Sequence, residues 1–154
     1  MTLQNLLAIR RLQAHATDRV AVRKLLDAAR RNLADAKVTA IGADNRFDAA
    51  YKCLMQCAML GLWAHGYRTV TSQPGHHQTA IQCLALTMDV PVATVIVLDG
   101  LRKIRNLTDY EGDPVSAASL AACIEEAARL LAHTEAWLRQ HRPSLLDGDD
   151  ARQE

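Results

Sequence analysis

Apolar positions recur at intervals of three and four along most of this chain. Leu3, Leu6, Leu7 and Ile9 predict a helix over 3 to 15, and Thr17 or Asp18 offers the start of the next, as two helices or one kinked helix. From Val22 the series Leu25, Leu26, Ala29, Leu33 and Ala36 makes one buried stripe, while Arg19, Arg23, Lys24, Arg30 and Arg31 fall on other faces. Asp27 lies four residues from both Arg23 and Arg31, which favours a salt-bridged solvent face over a phosphate-binding one. "IGADN" at 41 to 45 reads as a loop ending in a cap. Residues 46 to 65, "RFDAAYKCLMQCAMLGLWAH", are the most apolar segment, with polar residues kept to Asn45, Asp48, Lys52 and Gln56 and then missing until His65. This predicts a central helix, exposed early and surrounded later, that Gly66 ends in the left-handed conformation glycine takes cheaply.

A loop, "YRTVTSQPG", follows, with a turn at Pro74 and Gly75. A short helix fits 76 to 88, with Ile81, Leu84, Ala85 and Met88 on one side, and Asp89 to Pro91 interrupt it. The β-branched run "VPVATVIVLDG" reads either as a buried strand carrying Asp99 toward a phosphate site or as a helix. The absence of a Gly-rich phosphate loop and of a second convincing strand, and the continuation through Val97, Leu98, Leu101 and Ile104, favour the helix. Asp113 and Pro114 then predict a cap and a first-turn proline for a last helix to about His141. Its expected stripe is Ala117, Ala121, Ile124, Ala128, Leu131 and Leu138, small enough for close helix approach. The sequence thus predicts an all-α, up-and-down bundle of five or six helices forming one domain over 1 to 142, with a flexible tail over 143 to 154.

Composition narrows the function classes. The formal net charge of +1 over 154 residues contains no polybasic arm, so any nucleic-acid surface must be a local patch. No apolar run reaches the roughly 18 residues of a membrane span, and the amphipathic N-terminus does not read as a secretory signal, so a soluble cytoplasmic protein is expected. Cys53, Cys57, Cys83 and Cys123 sit inside apolar helical patterns and are expected to be buried and reduced. Cys53 and Cys57 have metal-ligand spacing, but "CLMQCAML" is too apolar to favour it. Neither a metal nor a cofactor is expected. Trp63 and Trp137 lie in apolar stripes, as core or dimer-interface aromatics.

The segment "LRKIRNLTDYEGDP" at 101 to 114 departs from this alanine-rich background. On a helix Arg102 and Arg105 are one turn apart, Asn106 neighbours both, and Asp109 follows Arg105 by four residues. Asp99 is placed to pair with Lys103. Basic residues near a helix C-terminus also complement the helix dipole, so a soluble helix end accounts for part of the pattern. His76 and His77 follow Gly75 at a helix start; adjacent side chains point about 100° apart, so the two cannot easily share one metal.

"KIRNLTDY" at the end of a late helix, together with "RFDAAYKCLMQCAMLGLWAHGYR" followed by "GHHQTAIQCL", resembles the HEPN superfamily over roughly residues 45 to 140. Its motif is an Arg, a polar residue such as Asn, and a His four to six residues on. Arg105 and Asn106 match the start, whereas the His position holds Tyr110, or Glu111 or Gly112 at longer spacings. The resemblance implies a homodimer whose two motifs face one another across a cleft that meets RNA or nucleotide phosphate. It implies, for active members, metal-independent endoribonuclease chemistry, as in toxins of toxin-antitoxin pairs, with Arg105 and Tyr110 as the acting groups here. The missing His argues instead for a binding or regulatory protein lined by Arg102, Arg105, Asn106 and Tyr110, with His76 or His77 standing in for the motif His. Some relatives pair with a nucleotidyltransferase antitoxin that modifies the motif tyrosine, which marks Tyr110. A helical adaptor without chemistry is the third expectation.

Overall fold

The computed structural model describes residues 1–146. Among them the chain is an all-α helical bundle with one small two-stranded antiparallel sheet: α1 (Leu3–Ala8), β1 (Leu12–Ala14), α2 (Arg19–Ala36), α3 (Ala43–Ala64), β2 (Tyr67–Thr69), α4 (His76–Gln82), α5 (Leu84–Thr87), α6 (Val92–Glu111) and α7 (Ala117–His141). The segment 92 to 98 is helical, so the strand alternative falls away. No described helix is long and apolar enough to cross a membrane.

Helix α3 is the hub, packed by α2 and α7 and touched by α4, α5, α6 and β2. Its N-terminal half keeps Lys52 exposed and Asp48 and Gln56 half-exposed, while Phe47, Tyr51, Leu54, Leu60 and Leu62 are buried. Gly66 then takes a φ of +84° and lets the chain reverse into β2. The approach of α5 to α3 also depends on a glycine: a Cβ on Gly61 would stand 2.8 Å from Thr87 Oγ1. Asp18 starts α2 by accepting a 2.8 Å hydrogen bond from the Ala21 N–H, satisfying one of the helix's free donors.

Six expectations need correction. The helix expected over 3 to 15 ends at Ala8, because Arg10 turns with a φ of +61° and the next residues become β1, antiparallel to β2 with Leu12 opposite Thr69. This puts Leu12 into the core at 1% exposure, a burial that continuing the helix would forgo. "YRTVTSQPG" is correspondingly part strand. The helix over 76 to 88 is divided at Cys83, where a tightened turn buries Cys83 and Leu84 together. Ser116, not Asp113, caps α7, its hydroxyl accepting from the Ser119 N–H at 3.1 Å; Val115 is buried and its N–H is held by Asp44 Oδ1 at 2.9 Å, outside the helix.

The core face of α7 is also rotated from the expected stripe. Leu120, Cys123, Ala127, Leu130, Thr134 and Trp137 join Leu131 and Leu138 inside, whereas Ala117 and Ala121 are exposed and Ile124 and Ala128 are half-buried. Thr134 is tolerated in the core because its hydroxyl donates to the Leu130 carbonyl at 2.8 Å. Last, the first residues of the expected flexible tail are structured: Pro143–Leu145 form a 3-10 turn and Leu146 is buried. The rest of that tail, 147 to 154, lies outside the described residues.

Candidate functional site

Two elements far apart in sequence build one groove. Gly75, in the left-handed conformation at φ +75°, turns the chain into α4, and Arg11 Nη1 holds the turn by donating to the Pro74 carbonyl at 3.2 Å. The first residues of α4 then face the C-terminal half of α6. Gly75, His76, His77 and Gln78 on one side and Arg102, Arg105, Asn106 and Tyr110 on the other line an open groove of about 400 Å³. All six residues singled out in the sequence therefore come together. The volume falls in the range of roughly 300–1,000 Å³ that small-molecule sites occupy.

The two arginines are held differently. Arg102 Nε donates to Asp99 Oδ1 at 2.7 Å, and Lys103 Nζ stands 3.7 Å from Asp99 Oδ2, so Asp99 serves the expected lysine and an arginine as well. That hydrogen bond, with the neighbouring positive charges, holds the Asp99 carboxyl below its ordinary range. Arg105 Nε lies 2.8 Å from Asp109 Oδ2, an ion pair, but its N–H is not aimed at the oxygen and makes no hydrogen bond. Its guanidinium carbon instead sits 5.5 Å from the centre of the Tyr51 ring. Tyr110, at the groove's end, is 79% exposed.

Tyr51 is the residue that sequence reasoning missed. It lies in α3 with 2% of its surface exposed, yet its hydroxyl is 3.1 Å from His77 Nδ1. A tyrosine within an apolar helix carries no sign of this, because the contact joins residues 26 positions apart. Burial pushes the Tyr51 hydroxyl up to about 12, against the opposing pull of Arg105 and Arg102. The His77 imidazole is pushed down from its ordinary 6.5, first by burial and then by His76, Arg105 and Arg102. The His76 and His77 rings meet edge to face, 4.6 Å between centres.

No family model, curated protein or solved structure significantly matches this chain. The groove must therefore be read from its own chemistry. It offers two guanidinium groups, two side-chain amides, two imidazoles and a phenol, a donor-rich set suited to phosphate oxygens. Among the described residues no group of three or more His, Cys, Asp or Glu is placed to hold a metal. The cysteines lie elsewhere, buried in the core, where loss of solvation pushes Cys83 up to about 11 and Cys123 up to about 12. Such thiols are poor nucleophiles.

Helix α6 has a second unusual property. Of its 20 residues only Leu98 and Leu101 are fully buried, while Val92 and Ile96, each 67% exposed, and Leu107 lie with Tyr110 along an outward face that the exposed Lys103 divides.

Proposed function

We propose that this chain is a HEPN-like protein that binds RNA or nucleotide phosphate in the groove between α4 and α6, without the ordinary HEPN ribonuclease activity. The observation that carries the reading is the convergence of Arg102, Arg105, Asn106, His76, His77 and Tyr110 on one groove from two separate elements. A helix end that merely needed solubility would not require histidines from α4 opposite its arginines. The carboxylates of Asp99 and Asp109 each engage one edge of a guanidinium, which fixes the arginines without discharging them. Their remaining N–H donors are the groups a phosphate would meet.

Ordinary nuclease chemistry needs a proton acceptor beside the scissile phosphate. The position where the HEPN motif carries His holds Tyr110, whose phenolic O–H donates hydrogen bonds well but offers no strongly basic ring nitrogen to take a proton. Binding or regulation is therefore favoured over cleavage. The exposed apolar side of α6 supports a homodimer in which two copies join along this helix and bring their grooves together. An antitoxin or nucleotidyltransferase partner would use the same exposed end, where Tyr110 is accessible.

The test is fluorescence anisotropy of a labelled mixed-sequence single-stranded RNA, with EDTA present, against wild-type protein and Arg105→Ala. Salt-dependent binding that weakens at least tenfold in the variant, with RNA intact, supports the reading; each lost phosphate contact lowers the salt slope by about 0.7. RNA cleaved by the wild type alone would make the protein a metal-independent nuclease. Binding indifferent to Arg105 would remove the groove from the account.

A further inference from the structure

Tyr51 reaches the groove from the core side, and its hydrogen bond decides what His77 can do there. The hydroxyl lies 3.1 Å from His77 Nδ1, and the Tyr51 ring supports the Arg105 guanidinium at 5.5 Å. With its pKa raised to about 12, the hydroxyl keeps its proton throughout the physiological range. A phenolic O–H is a good donor and a weak acceptor, because its lone pair is drawn into the ring, whereas the unprotonated nitrogen of a neutral imidazole is a strong acceptor. The favoured bond therefore runs from the Tyr51 O–H to His77 Nδ1. A neutral imidazole carries one ring proton, so accepting at Nδ1 places it on Nε2. Nε2 is directed away from Tyr51, and His77 lines the groove.

We propose that Tyr51 is a positioning residue that fixes His77 as an Nε2–H donor to a phosphate oxygen in the groove. This rests on the phosphate-binding reading and sharpens it. In this tautomer His77 has no free lone pair on Nε2 with which to deprotonate a ribose hydroxyl, which agrees with a groove that holds a phosphate ester rather than one in which His77 is the base. The surroundings agree with a neutral ring: the groups facing it are Tyr51 from α3, His76 from α4, and Arg102 and Arg105 from α6. The two guanidiniums supply positive charge from α6, and the imidazole adds a directional donor from α4. The resemblance offered His76 or His77 as a stand-in for the motif His; the bond to Tyr51 gives His77 a donor's role instead.

Long-range proton–nitrogen NMR correlation spectra of the histidine rings test this on the full chain at pH 8, with inorganic phosphate as the probe. The wild type should show His77 as the Nε2–H tautomer, and phosphate should shift its ring resonances. Tyr51→Phe keeps the ring and the Arg105 contact, so it should fold with an unchanged circular dichroism spectrum while its His77 becomes a mixture of tautomers. Its phosphate affinity should drop in proportion to the lost Nε2–H form, about twofold for an even mixture. An Nδ1–H tautomer in the wild type would overturn the proposal without any variant, and would leave phosphate binding standing if the resonances still shift. The expected tautomer with resonances indifferent to phosphate would overturn the proposal by removing the binding reading beneath it.

Discussion

The Arg105 guanidinium stands 5.5 Å from the centre of the Tyr51 ring, so a half-buried cation of α6 is seated on a residue of the central helix. Groove and core are thereby one structure: Tyr51 fills the space between α3, α4 and α6 while orienting Arg105 and His77. Tyr51→Ala should therefore cost both stability and binding. Removing so large a buried aromatic costs about 3–5 kcal/mol, and thermal denaturation should show the loss. Tyr51→Phe should retain most of the stability, since only the hydroxyl is removed. Equal destabilisation by the two variants would mean that the hydroxyl, not the ring, carries the packing.

The pH dependence of stability follows from His77. Its folded pKa lies below the ordinary 6.5, chiefly through burial and then through His76, Arg105 and Arg102. The neutral ring is preferred in the folded state, so this contribution is fully present above 6.5 and is lost as pH falls from there through the folded value. Urea denaturation at pH 7.5, 6.5 and 5.5 should show a decline that His77→Gln flattens. A variant with the same decline as wild type would place the titrating group elsewhere.

Close approach of α3 and α5 gives a prediction independent of function. A Cβ on Gly61 would come within 2.8 Å of Thr87 Oγ1 and 3.1 Å of Met88 Cε. Gly61→Ala should destabilise by about 1–3 kcal/mol, the usual cost of overpacking, despite the better helix propensity of alanine. A rise in the thermal midpoint would show that α5 can move aside.

The exposed apolar side of α6 predicts association. Wild type should run at twice the chain mass by light scattering, and Ile96→Glu, at a position that is 67% exposed, should weaken self-association at least tenfold while leaving the circular dichroism spectrum unchanged. A wild type that stays monomeric at high micromolar concentration contradicts the homodimer.

Much of the fold was legible in sequence because its longer helices carry local signals: Asp18 as a cap, the polar stripe of α3, the stop at Gly66. What was missed depends on contacts that local patterns do not encode. The pairing of β1 with β2 joins two three-residue strands across α2 and α3, too short to show alternation. The face of α7 was misread because alanine suits either side of a helix, and because Thr134 enters the core by bonding its own backbone. At the groove, the arginines were visible as a charge cluster and the histidines as a pair, but Tyr51 was not, since only the packing of α4 against α3 gives it His77 as a partner.

The most direct test of the central claim is amide chemical-shift mapping of the isotopically labelled protein as single-stranded RNA is added. Shifts concentrated at 75 to 78 and 102 to 110, and abolished by Arg105→Ala, are the result this account predicts. Shifts confined to another face, such as the basic side of α2, or no shifts at saturating RNA, would contradict it.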